Sequence, residues 1–501
     1  MKAGSIVRLI ALGAVILALT GCGKKPEPPG GPKGELTVLC GAGIRPPMET
    51  IRKQFEREHN CTVNVNYGGS GVHLGQLKAG GHADLYIPGD VWWVRKAQAQ
   101  GMVENYKVAA WFVPVIAVQS GNPKGIKGLA DLARDDVRVG LGRVDGCAVG
   151  PVARDVLAAA GLAGQVKPAF EDTTVNSLAD QVKLEALDAA IIWDAVAKLY
   201  ANDIDIVPIE DGEFHAVPFA VAVLKQAKDR ALAQAFAETV AGEAGAKAFR
   251  DFHYQVSGQS LNVRSGGSMR EPINEIADLF EAETHRKVLR TFGDSGTLLL
   301  ETNEAKDGDI YVCHDPYARM AEERGMSRRW YTTAYLAPTL AVRKGNPKSV
   351  RGLRDLLRDD VKVGVPHRRY STCGQIIWAA FKKHGMYDAM DQRGPFESRS
   401  SGDIAAQLRL GTIDVAVMWD AIARSLPESI DLVPIEPEYK VDAITSATTG
   451  RTYEVGQVKV TIVTLTFAKE PLLAAQFARL AVSPEGRAVW ARHGFNVPAG
   501  K

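Results

Sequence analysis

The feature that most constrains this chain is a long internal repeat. Gly121-Asn122-Pro123-Lys124 returns as Gly345-Asn346-Pro347-Lys348, and GLADLARDDVRVGL from Gly128 returns as GLRDLLRDDVKVGV from Gly352. Upstream, Tyr67-Gly68-Gly69-Ser70-Gly71 matches Phe292-Gly293-Asp294-Ser295-Gly296, and Asp84-Leu85-Tyr86-Ile87 matches Asp309-Ile310-Tyr311-Val312. Downstream, Ile191-Ile192-Trp193-Asp194 matches Val417-Met418-Trp419-Asp420. The offset stays between 224 and 226, so two collinear domains of one kind are expected, not a solenoid. Copy one covers 35–254 and copy two 261–501, joined by the polar stretch QVSGQS at 255–260.

Residues 1–21 read as a secretory signal. Lys2 and Arg8 form its positive end, and the apolar run 9–19 is too short to span a bilayer comfortably. It closes on Leu19-Thr20-Gly21-Cys22, which resembles the bacterial lipobox. That resemblance implies cleavage before Cys22, lipidation of its thiol, and anchorage in the cell envelope on the periplasmic or extracellular face of a bacterial membrane. The Pro/Gly/Lys-rich residues 22–34 cannot bury apolar surface and read as a tether. Net charge is +2, and the signal takes both charges with it, leaving a neutral mature chain. No electrostatic footprint for nucleic acid remains. Any charge recognition is therefore local. Five further cysteines (Cys40, Cys61, Cys147, Cys313, Cys373) lack a C-x-x-C spacing, so no zinc site, cofactor or thioredoxin-like motif is implied, and the sequence does not pair them.

Each copy alternates β-rich runs with amphipathic stretches. In copy one, strands are expected at 36–39, 62–66, 85–87, 113–118, 137–141 and 189–193, and helices at 48–59, 92–100, 126–134, 148–160 and 176–184. The alternation predicts an α/β fold with parallel sheets, whose ligands lie at the carboxyl ends of the strands. Two strand-to-helix turns per copy are built of small residues: Cys40-Gly41-Ala42-Gly43 and Gly68-Gly69-Ser70-Gly71, with Ser265-Gly266-Gly267-Ser268 and Gly293-Asp294-Ser295-Gly296 as counterparts. Such turns let an anion approach unpaired N–H groups at a helix start, with serine hydroxyls as added donors. The bland reading is a tight turn with serine as helix cap.

The order of these motifs, with SPEGRAVWARHGF from Ser483 as a closing helix, resembles the molybdate-binding branch of the type II periplasmic binding proteins. The resemblance covers both copies. It implies two α/β lobes per copy around a cleft, no enzymatic activity, a small oxyanion as ligand (molybdate or tungstate first) and an ABC permease in the inner membrane as partner. It also implies ligand contacts from Ser268, Ser295, Thr372, Ser401 and Trp419 in copy two, and from Gly43, Ser70, Ala148, Val175 and Trp193 in copy one. Two departures stand out: Gly43 replaces the family's first-turn serine, and tryptophan replaces its tyrosine in both copies. Cys40 and Cys147 are expected near the copy-one pocket. Arg45 and Arg270, at matching positions after the first turn, could grip an oxyanion or merely start a helix. Asp194 and Asp420 are expected as helix N-caps.

Other readings remain open at this point. Ser70 and Ser295 lack the glycine that a nucleophile elbow needs two residues on, where Val72 and Thr297 stand. Metal binding through His82 and Asp84, or His314 and Asp315, is a weak pattern, and Tyr86 and Tyr311 fit core packing better than iron ligation. The ligand could be sulfate, phosphate or another small anion, and a non-transport sensor could reuse the fold.

Overall fold

The computed structural model describes residues 34–445, 450, 452–455 and 457–498. The signal segment, Cys22 and all of the tether but Gly34 lie outside the described residues. Among those described, no helix is long and apolar enough to cross a membrane.

The strands of copy one are β1 (Glu35–Gly41), β2 (Thr62–Gly68), β3 (Leu85–Ile87), β4 (Val103–Phe112), β5 (Pro114–Gln119), β6 (Val139–Gly142), β7 (Pro168–Asp172), β8 (Ala189–Trp193), β9 (Ile204–Pro208) and β10 (Val217–Leu224). They form two five-stranded sheets, ordered β2-β1-β3-β10-β4 and β7-β6-β8-β5-β9. The chain leaves the first sheet after β4 and returns in β10, so each copy is two lobes joined by crossovers. Copy two repeats the plan with β11 (Ser260–Gly266), β12 (Lys287–Gly293), β13 (Ile310–His314), β14 (Ser327–Leu336), β15 (Pro338–Arg343), β16 (Val363–Pro366), β17 (Phe396–Ser398), β18 (Val415–Trp419) and β19 (Ile430–Val433). A small hairpin, β20 (Ala443–Thr445) and β21 (Thr452–Glu454), precedes the returning β22 (Val458–Leu465).

The expectation of purely parallel sheets needs correction. β10 runs antiparallel to β3 and β4, and β5 runs antiparallel to β8 and β9. A strand that enters from the other lobe arrives at the opposite end of the sheet, which reverses its direction. The expected helix at 126–134 is also wrong in kind, because only a short 3-10 turn forms at Leu129–Ala133. There Asp131 accepts the backbone N–H groups of Lys127 and Gly128, and that local bonding competes with a helix.

The repeated motifs turn out to be scaffold. Asn122 has φ +47°, a left-handed value that asparagine tolerates, and its side-chain amide bonds both backbone groups of Ile126. Asn346 repeats the arrangement with Val350. Asp84 ties β1 to the segment after β10 by accepting the N–H groups of Thr37 (2.7 Å) and Lys228 (2.8 Å). Asp309 does the same for Asn262 and Glu470.

The copies pack on each other. Trp111 is fully buried in the core of copy two and donates its backbone N–H to Gln255. Phe214 stacks on Tyr331 with ring centroids 4.8 Å apart. Arg329 pairs with Glu210 and Asp211, and Arg328 with Glu213.

Candidate ligand-binding clefts

In copy one, the turns after β1, β2, β6 and β7 and the end of β8 converge from both lobes. They line a cavity of about 20 Å³ with Gly43, Ser70, Ala148, Val175 and Trp193 among its walls, together with Phe112, Cys147 and Thr173. One water needs about 10–15 Å³ by this measure, so the space admits only a compact group. The Ser70 hydroxyl accepts the Gly89 N–H at 3.1 Å, which leaves its own proton free to donate. Phe112 stacks on Trp193 at 5.0 Å. Tyr254 donates its hydroxyl to the Gly43 carbonyl and so closes one wall. The lobes touch directly, with Gly71 N–H donating to Gly146 O at 2.9 Å. Cys147 reaches this wall, and burial pushes its thiol up to about 12, so it stays protonated. Cys40 is fully buried behind the wall and does not line the cavity.

Copy two brings the matching elements together around a cavity of about 420 Å³. Ser268, Ser295, Thr372, Ser401 and Trp419 all line it, as do Arg270, His314, Tyr317, Tyr370 and Arg399. Ser295, Thr372 and Ser401 each open a helix: Ser295–Ala305, Thr372–Lys383 and Ser401–Leu410. The preceding residues Asp294, Ser371 and Ser400 supply the caps, so the bland cap reading belongs to these neighbours. Thr372 Oγ1 is buried and satisfies no hydrogen bond, with the Tyr317 hydroxyl near it but outside bonding geometry. Burial pushes the Tyr317 phenol up to about 12, which keeps it a donor at neutral pH. Burial also lowers the pKa of His314, whose ring bonds the Asp315 carbonyl.

The two matching arginines diverge. Arg45 lies over the Tyr67 ring at 4.5 Å and does not line the copy-one cavity. Arg270 lies over Phe292 at 4.3 Å and does line that of copy two. Asp194 and Asp420 are not the expected N-caps; Trp193 and Trp419 hold the cap positions. Their carboxylates accept the N–H groups of Val113 and Ala337, the residues that pass between lobes. Sequence reasoning missed Tyr370 and Arg399, where copy one has Gly146 and Thr173, and also Tyr317, where copy one has the aromatic pair Trp92-Trp93. It also missed the role of Tyr86 and Tyr311, whose buried hydroxyls hold the carbonyls of Ser70 and Ser295, both at 2.7 Å. Their matched spacing from those serines was the available signal. His82 Nε2 stands 3.6 Å from Asp84, a carboxylate already engaged by backbone, and among the described residues no cluster of three metal-type ligands occurs.

Two α/β lobes closing on a cleft at their strand ends define a solute-binding protein of the type II periplasmic kind, here present twice. The chain belongs to the bacterial extracellular solute-binding proteins, whose family pattern matches residues 36–255 and again 261–496. It is similar to the molybdate-binding protein ModA of Mycobacterium tuberculosis (25% identical over 248 residues, 49% of this chain and 94% of that one). It is also similar to the ABC transporter substrate-binding lipoprotein YvgL of Bacillus subtilis (23% over 228 residues, 44% and 86%). Among solved structures, the periplasmic molybdate-binding protein of Azotobacter vinelandii matches with a TM-score of 0.40 and 18% identity, covering 44% of this chain and 100% of that one.

Proposed function

We propose that this chain is the extracytoplasmic, lipid-anchored binding component of an ABC importer, and that it captures a tetrahedral oxyanion group by lobe closure. The observation that carries the reading is the convergence, in each cleft, of small-residue turns and helix starts from both lobes. Such an arrangement replaces an anion's hydration shell with N–H and hydroxyl donors. Molybdate and tungstate are the first ligands to consider, because the copy-one cleft admits only a compact group and lines it with no charged side chain. The relatives named for molybdate support this choice. Sulfate and phosphate share the geometry.

A ligand favours the closed state only by its higher affinity for it, and contacts from both lobes supply that difference. A membrane permease would then read the closed form, with the Cys22 lipid keeping the protein at the membrane. Neither nucleic acid nor a cofactor takes part. Titration calorimetry of the mature chain with molybdate, tungstate, sulfate and phosphate tests the reading. Binding to at least one is expected, with Ser70→Ala removing the copy-one event and Ser295→Ala the copy-two event. Absence of heat and of any tryptophan fluorescence change with all four, and with organic phosphates, would sink it.

A further inference from the structure

Copy one closes through positions that have no side chain. A Cβ on Gly69 would stand 2.5 Å from the Thr173 carbonyl oxygen. One on Gly146 would stand 2.7 Å from Thr173 Cγ2, and one on Gly43 2.9 Å from Val175 Cγ1. Copy two carries Asp294, Tyr370 and Ser268 at these three places, and Arg399 where copy one has Thr173. The obstacle at Gly69 is backbone, which cannot swing aside as the tip of a long side chain can. Copy two therefore cannot draw its lobes to the contact seen in copy one. Its cavity, about 420 Å³, falls in the range of about 300–1,000 Å³ that holds small organic ligands.

We propose that copy two binds a small organic phosphate, with its phosphoryl group on the hydroxyls of Ser268, Ser295, Thr372 and Ser401 and its organic body against Tyr370 and Arg399. The proposal rests on the oxyanion-capture reading and narrows it for this copy. Four hydroxyls arriving from both lobes suit a tetrahedral head group better than a planar carboxylate. Thr372 Oγ1, buried and without a partner, is a donor in need of an acceptor. Arg399 lies over the Tyr370 ring at 4.0 Å, forming a flat cationic wall beside the head-group site. Neither Arg270 nor Arg399 makes an ion pair with a carboxylate among the described residues, so both charges remain available to a dianion. The rim carboxylate of Asp294 is engaged by the N–H (3.0 Å) and hydroxyl (3.2 Å) of Thr297.

The test is calorimetry of the full mature chain with glucose 6-phosphate, glycerol 3-phosphate, inorganic phosphate and molybdate, with Trp419 fluorescence as a second readout. At least one organic phosphate is expected to bind tenfold or more tighter than inorganic phosphate, and to be lost on Ser295→Ala. Arg399→Ala is expected to weaken the organic phosphate by a clearly larger factor than inorganic phosphate, which keeps Arg270 and the four hydroxyls. The double variant Asp294→Gly with Tyr370→Gly, which restores the small residues of copy one, is expected to shift preference toward the bare anion. If copy two takes inorganic phosphate or molybdate as tightly as the better-bound of the two organic phosphates, this proposal falls while the oxyanion reading stands. Silence toward all of them overturns this proposal, and silence toward tungstate and sulfate as well overturns the oxyanion reading with it.

Discussion

Asp420 accepts the backbone N–H of Ala337 at 2.9 Å, and the Ala337 carbonyl accepts the Asp420 N–H at 2.9 Å in return. Asp194 and Val113 make the same reciprocal pair at 3.0 and 2.8 Å. Ala337 and Val113 are the single residues between the last strand of one lobe and the first of the other. Each aspartate directly follows the tryptophan that lines its cleft. The wall that lines each cleft and the crossing between its lobes are thus one short piece of structure.

Asp420→Ala is expected to cost about 3 kcal/mol of stability, read by urea denaturation. Besides Ala337, the carboxylate serves Ala421 N–H, Asn496 and Arg424, and its removal orphans buried donors. Asp420→Asn keeps one acceptor oxygen and should lose clearly less. Equal losses in the two variants would show that the charge, not the bond at the crossing, matters.

Gly43→Ser imitates copy two within copy one. Its Cβ would meet Val175 Cγ1 at 2.9 Å and Val196 Cγ2 at 3.1 Å, so overpacking of about 1–3 kcal/mol is expected. The strain should be relieved by parting the lobes, with a change in Trp193 emission as its stack on Phe112 is disturbed. Adding Val175→Ser should recover part of the loss. No recovery would place the strain elsewhere.

Asp90 lies where the copies meet, and burial, helped by the push of Glu283, raises its pKa to about 6 against the Trp92 N–H bond and the pull of Arg479 and Arg95. A carboxyl whose folded pKa exceeds its unfolded value binds more protons when folded. Its contribution therefore falls as pH rises from about 4 to about 6, by up to about 3 kcal/mol. Nearby His215, held near 4 chiefly by burial, has the opposite slope between about 4 and 6.5. The diagnostic is thus a difference: Asp90→Asn, which can still cap Trp92, should gain stability over the parent above pH 6 and lose that advantage below pH 4.

Between the copies, the exposed pairs of Arg329 with Glu210 and Asp211 should contribute under about 1 kcal/mol and weaken with salt. The stack of Tyr331 on Phe214 excludes water and should matter more. Tyr331→Ala is expected to lower the melting temperature more than Arg329→Ala, with a smaller salt dependence. The reverse order would make the junction electrostatic.

The sequence by itself determined the duplication, the alternation of strands and helices and the family, because these rest on local pattern and repeated order. The motifs that made the repeat legible, such as Asn122 with Asn346 and Asp84 with Asp309, persist because the same backbone donors need the same acceptors in both copies. It also named the serines and tryptophans of the clefts, which sit at fixed distances from those motifs. Tyr370 and Arg399 were not legible, since they occupy positions where copy one has glycine and threonine, and no local pattern gives such a position a role. Nor could the sequence tell that Asp194 and Asp420 reach across to the lobe crossings 81 and 83 residues away. How far each cleft can close was decided by tertiary structure alone. It depends on which backbone atoms of one lobe meet a missing or present Cβ on the other, and that distance exists only once both lobes are folded.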